Sequence, residues 1–158
     1  MKRAIAAGVL ATLILAVSPA PASADATVFF GYSPTPAGRP ARGFAFGASV
    51  AIVGFEFEYS NTSESATQLA PGLKTYMFNI SLQSPTNFQV YFTAGGGFYN
   101  EGLGDVSDTS FGTNFGGGVK IPLAGPVRLR LDYRLFALSG EAIEKSNHRF
   151  YAGANFRF

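Results

Sequence analysis

Cysteine is absent from the 158 residues. Its absence excludes a disulfide framework and any thiolate metal site, so stability has to come from hydrogen-bonded backbone and packing. Tryptophan is absent as well, and a single histidine, His148, cannot build a multi-histidine zinc site. Charged residues make up only 14% of the chain, and two of its 12 Lys and Arg are Lys2 and Arg3, at the extreme start. Without that pair, ten cations balance ten Asp and Glu, which removes the electrostatic case for a nucleic-acid partner. After the first segment no sustained helical period occurs. Phosphate-binding loops are missing too: Gly95-Gly96-Gly97 and Gly116-Gly117-Gly118 lie inside strand-like runs, with no following helix or Lys-Ser pair. No cofactor and no metal site is expected.

What the chain does have is a leader followed by alternation. Residues 1–24 read as a secretory signal peptide: charged Lys2 and Arg3, an apolar run from Ala4 to Val17, then Ala22-Ser23-Ala24 as the small-x-small cleavage pattern. The apolar run is shorter than the roughly 20 residues a spanning helix needs. Ala26 is a second possible cleavage point, so the mature chain is expected to begin at Asp25 or Thr27. Residues 25–158 form the expected single domain, with 16 Phe and 19 Gly in the whole chain.

Period-two patterning sets out eight strands, since successive strand side chains point to opposite faces. The first, Thr27 to Ser33, has ambiguous facing. Gly43 to Ile52 and Phe55 to Ser60 are joined by an expected two-residue turn at Val53-Gly54. Lys74 to Gln83, Phe88 to Phe98, Ser110 to Ile121 and Val127 to Leu135 follow. The last is His148 to Phe158, with Phe150, Ala152, Ala154, Phe156 and Phe158 on one face and Arg149, Tyr151, Gly153, Asn155 and Arg157 on the other. Pro34 to Pro40, Ser60 to Gly72, Asn100 to Thr109 and Ser139 to Asn147 read as longer loops, alternating with short turns. An even number of strands of about ten residues, with turns short at one end and long at the other, is the pattern of a small transmembrane barrel.

Facing follows from composition. The polar faces are largely small, with Gly43, Ala45, Gly47, Gly95, Gly112, Gly116 and Gly118, which suits a crowded lumen better than a solvated exterior. Phe and Leu at nearly every alternate site suit lipid. A soluble lipocalin-like barrel is the alternative, with the facing reversed.

The mature chain resembles the small eight-stranded bacterial outer-membrane barrels of the OmpA and OmpX type, on leader, strand count, loop asymmetry and terminal Phe158. The resemblance implies an all-β, eight-stranded antiparallel up-and-down transmembrane barrel, integral to the outer membrane and monomeric. It also implies contact with outer-membrane lipids and lipopolysaccharide, and an assembly signal in Phe150, Phe156 and Phe158 read by the barrel-assembly machinery. No counterpart of the peptidoglycan-binding domain of OmpA-type proteins is expected after strand eight.

The chemistry-bearing residues are inner charges: Glu56, Glu58 and Asp132 against Lys120, Arg128, Arg130, Arg134, Arg149 and Arg157. In an eight-stranded barrel they are expected to pair as a structural network, with a narrow anion-favouring pore as the alternative. His148 with Ser146, Glu141 and Glu144 invites comparison with the outer-membrane lipid A deacylases, which resemble this chain in size and architecture. That family's motif has its catalytic Ser two residues after the histidine, where this chain has Phe150. The expected role is therefore structural or surface interaction through four outer loops, with an unidentified surface ligand. A lipid A-modifying enzyme is the alternative. Loop charges (Glu64, Glu101, Asp105, Asp108, Glu141 and Glu144 against Arg39, Arg42, Lys74 and Lys145) read mainly as solvated.

Overall fold

The computed structural model describes residues 22–140, 142 and 145–158. Its strands are β1 (Ala22–Ser33), β2 (Arg39–Val50), β3 (Val53–Thr62), β4 (Gly72–Gln83), β5 (Gln89–Leu103), β6 (Val106–Ala124), β7 (Val127–Leu138) and β8 (Ser146–Arg157). They pair antiparallel in chain order and close into a barrel, β8 returning to β1. Closure leaves no sheet edge, so every strand has a hydrogen-bonded neighbour on both sides. Most of the expected leader lies outside the described residues; Ala22 to Ala24, at its end, extend β1 opposite Val50 to Ala48. Both termini of the barrel and the connections after β2, β4 and β6 share one end, the turn end. Residues 34–38, 63–71, 104–105 and 139–145 join strands at the other, the loop end.

The outer wall is apolar and the interior is charged. Phe30, Phe78 and Phe92 are 75%, 70% and 72% exposed, while Arg130, Arg134 and Glu58 are 1%, 0% and 0% exposed. A wall of that kind belongs against hydrocarbon, and the lipocalin-like facing is excluded. The first strand takes its facing from its neighbours: Val28, Phe30 and Tyr32 point out, Thr27, Phe29 and Ser33 point in. Near the loop end Phe44, Tyr59, Tyr76, Phe98 and Phe111 line up across five strands of the outer wall. Ring centroids are 5.4 Å apart for Phe44 and Tyr59 and 5.0 Å for Tyr59 and Tyr76. Aromatic rows of this sort sit at the edges of the bilayer.

Three local expectations are corrected. The first turn is Ala51-Ile52, not Val53-Gly54: Val50 pairs with Val53, and Ala51 takes a φ of 54°. Gly54 is needed inside β3, where a Cβ would come within 2.5 Å of Ser81 Oγ. The shift is one full strand period, so the aromatic face survives it. Second, Asn100 to Thr109 is no loop; it continues β5 and β6 as a ribbon that turns at Gly104-Asp105, with Gly104 at φ 60°. A ribbon that rises past the bilayer has no reason to alternate apolar residues, which hides it from a period-two reading. Third, Arg39 and Pro40 belong to β2, Pro40 pairing with Tyr32 near the strand's start, where a missing N–H is tolerated.

Candidate functional site

Among the described residues, ionisable side chains converge in the lumen, and strand alternation puts them there. β3 aims Glu56 and Glu58 inward, β7 aims Arg130, Asp132 and Arg134, and β8 aims Arg149. These six form a neutral set at the waist of the barrel. Arg130 contacts Glu56 at 2.5 Å and Asp132 at 3.1 Å. Arg134 reaches Glu56 at 2.7 Å, Asp132 at 3.1 Å and Glu58 at 3.3 Å. Arg149 pairs with Glu58 and donates to Ser60 Oγ at 2.5 Å. Tyr91 donates to Asp132 and accepts from Arg130 Nε at 2.7 Å. Gly118 makes room for that phenol, since a Cβ there would lie 2.7 Å from the Tyr91 hydroxyl.

Aromatic rings complete the packing of the guanidinium groups. Arg149 lies 4.8 Å from the Phe136 ring centroid and 5.1 Å from that of Phe29, and Phe29 stacks on Tyr151 at 4.0 Å. Arg130 lies 4.9 Å from the Tyr91 centroid. Cation–π contacts and ion pairs together leave little room at this level.

Toward the turn end the lumen holds Lys120 and Arg128, and their carboxylate is Asp25, at 2.5 Å and 3.0 Å. Arg128 also donates to Asn155 Oδ1 at 2.8 Å and Gln89 Oε1 at 3.2 Å. Asp25 lies before the expected start of the first strand at Thr27; carrying the alternation of Thr27 and Phe29 back by one period reaches it. Arg157 departs from the expected network. It is exposed, and it borders an opening of about 310 Å³ at the turn-end mouth with Ser49, Gln83 and Gln89. Its inward parity is correct, but the strand ends there and the mouth opens to water.

Toward the loop end the filling turns apolar. Leu73, Met77, Tyr99, Phe136 and Leu138 are buried together inside the barrel, with Ala142 packed against them. Of these five, Met77 alone lies on an inner face that the alternation predicts; the other four fall where it lapses. Beyond this layer Ser33 donates to Asn147 Oδ1 at 2.6 Å, and Arg39 donates to Thr35 O at 3.0 Å. Arg39 and Glu101, expected among solvated loop charges, are both buried here because β2 and β5 run further than their polar sequences suggest.

His148 points outward from β8. Its Nδ1 lies 2.7 Å from the Tyr133 hydroxyl, and the Phe150 ring packs on Tyr133 at 4.7 Å. Glu141 and Glu144, the carboxylates nearest it in sequence, lie outside the described residues. Phe150, Phe156 and Phe158 all face outward, and Phe158 exchanges backbone hydrogen bonds of 2.9 and 3.1 Å with Ala24. Among the described residues no three His, Cys, Asp or Glu side chains are grouped to hold a metal.

No curated protein matches this sequence. Solved structures do match the fold. The N-terminal β-barrel domain of Pseudomonas aeruginosa OprF aligns with a TM-score of 0.63 at 16% identity, over 86% of this chain and 97% of that one. Neisserial surface protein A, NspA, aligns at 0.60 and 18% identity, over 86% and 94%. Ail, the attachment invasion locus protein of Yersinia pestis, aligns at 0.52 and 14% identity, over 87% and 98%. These likenesses establish the fold. The family model for the outer membrane protein beta-barrel domain matches residues 7–158, and this chain, an integral outer-membrane β-barrel, belongs to that family.

Proposed function

We propose that this barrel is a closed platform that works at its loop end, in envelope integrity or in contact with a surface partner, and that it neither conducts ions nor catalyses a reaction. The observation that carries the reading is the filled lumen. The waist ion pairs and the apolar layer above them are stacked along the same axis, so an ion entering at either mouth meets buried, mutually paired groups. The loop end, by contrast, is built outward. Its β5–β6 ribbon rises beyond the last β6–β7 pair, Gly112 with Leu138. Leu69 and Val106 stand 73% and 75% exposed on neighbouring tips, which are tied by a 3.0 Å hydrogen bond from the Gly104 amide to Glu64. Exposed apolar tips on an ordered ribbon suit a protein contact. Against catalysis stand Phe150 in the position of a serine and a His148 nitrogen already engaged by Tyr133. In this reading residues 1–24 are removed on export and Asp25 is kept, because Lys120 and Arg128 pair with it; the Ala22–Ala24 pairing and the bonds between Ala24 and Phe158 leave with the leader. The loop end then faces outside, and the barrel-assembly machinery reads the outward Phe150, Phe156 and Phe158.

Planar-bilayer recording tests the closed lumen: the purified barrel is expected to give no conductance steps, and steady single-channel openings would overturn the reading. For the loop end, residues 64–70 and 101–108 are replaced by short Gly-Ser turns. A strain lacking the protein is then complemented with the intact or the trimmed barrel and compared for adherence and bile-salt resistance. Complementation by the trimmed barrel as good as by the intact one would sink the platform role.

A further inference from the structure

The outer wall carries two charged side chains within its strands among the described residues, and both are cations at one level. Arg42 on β2, Asn61 on β3, Lys74 on β4 and Asn100 on β5 pair in register as a continuous row. This row lies two residues, about 7 Å, toward the loop end from the aromatic row of Phe44, Tyr59, Tyr76 and Phe98. Arg42 and Lys74 flank Asn61, so their backbones are about 10 Å apart across two strand spacings. Neither makes an ion pair with a described residue. Cations elsewhere in the described strands point inward to carboxylates, except for Arg39, which donates to the Ala37 and Thr35 carbonyls, and Arg157, which sits at the turn-end mouth.

Surface shape sharpens the point. Below Arg42 and Asn61 an apolar groove of about 450 Å³ runs down the wall between Val28, Phe30, Phe44 and Tyr59. On the far side of Asn61 lies a polar hollow of about 190 Å³, reached by Lys74 and Asn100. Its carboxylate, Glu64, is turned to the Gly104 amide. An apolar groove in the hydrocarbon region, two cations at interface depth and a polar hollow beyond form the negative image of an amphiphile with an anionic head.

We propose that Arg42, Asn61 and Lys74 form a binding site for the phosphate of a phosphorylated glycolipid in the outer leaflet, with one acyl chain in the groove beneath. Two long cationic side chains flanking an amide converge on a single oxyanion, and the low dielectric beside the bilayer strengthens the attraction. This inference rests on the loop end facing outward, as proposed above.

Native mass spectrometry of the full barrel in phosphatidylcholine nanodiscs, doped with bis-phosphorylated lipid A, tests it. The wild type is expected to retain at least one lipid A on release from the nanodisc. An Arg42→Ser, Lys74→Ser double variant should lose about tenfold in retention, with a loop control, Lys145→Ser, unchanged. A heat-modifiability gel checks that each variant is folded. Equal retention of dephosphorylated lipid A, of phosphatidylglycerol, or of lipid A by the double variant would overturn the proposal. So would equal competition by free inorganic phosphate at the lipid's concentration. Nanodiscs have no sidedness, so failure here leaves orientation untouched; labelling a Val106→Cys variant on intact cells tests that separately.

Discussion

The waist and the apolar layer above it fill the same width of barrel with opposite chemistry. At the waist, three guanidinium groups meet three carboxylates drawn from β3, β7 and β8. Toward the loop end, Leu73, Met77, Tyr99, Phe136 and Leu138 occupy the space chiefly by apolar contact, with the Tyr99 hydroxyl donating to the Ser139 carbonyl. The two solutions fail differently. Deleting one ionic partner leaves the others charged and confined, whereas deleting an apolar side chain costs its contacts and leaves a cavity. A narrow lumen can therefore be closed either way, but only the charged solution makes each member depend on the rest.

The sharpest way to break that contrast is Arg134→Leu. It strips a cation from Asp132, Glu56 and Glu58 together, and should cost about 3–5 kcal/mol in urea unfolding of barrel refolded into lipid vesicles. A loss below about 1 kcal/mol would mean that water screens the waist. Next comes a wall position one residue from a waist arginine. Leu129 faces lipid, and Leu129→Arg should cost about 2–4 kcal/mol in the same assay. A cost near zero would show that the wall is wet at that depth. In the apolar layer, Met77→Ala should cost about 2 kcal/mol, and Met77→Leu far less, because volume rather than charge is what that layer supplies. An Ala variant as harmful as Arg134→Leu would erase the distinction between the two layers.

The smallest effect belongs to Asp25, whose side chain is 15% exposed at the turn-end mouth. Asp25→Asn should cost about 1 kcal/mol, and the loss should shrink in high salt as the mouth is screened. A salt-independent loss would place Asp25 with the buried waist.

Legibility followed the wall. Wherever a strand crosses hydrocarbon, lipid demands an apolar residue at every second position, so β4, β7 and β8 could be read by period and their inner residues assigned. Glu56, Glu58 and Arg130 fell on the inner face for that reason. The demand ends at the bilayer surface, and so did the reading: the upper parts of β5 and β6 passed for a loop, and Arg39 and Glu101 for solvated charges. The inward Leu73, Tyr99, Phe136 and Leu138 were lost the same way, since they lie where the alternation lapses. Pairing partners were never legible. That Glu56 meets both Arg130 and Arg134 depends on which strands lie across the lumen, and period two carries no information about distance around a ring.

In a ring of eight strands, β3 and β7 stand opposite one another, and the bonds from Glu56 and Glu58 to Arg130 and Arg134 run across the full diameter. They act as spokes. A cylinder of hydrogen-bonded strands can flatten into an ellipse without losing any bond in its wall, because its hinges lie between strands. Spokes remove that freedom: flattening across β3 and β7 crushes them, and flattening at right angles stretches them. The rim above is thereby held round, and the ribbon and tips standing on it keep fixed spacing while the bilayer presses and relaxes around them.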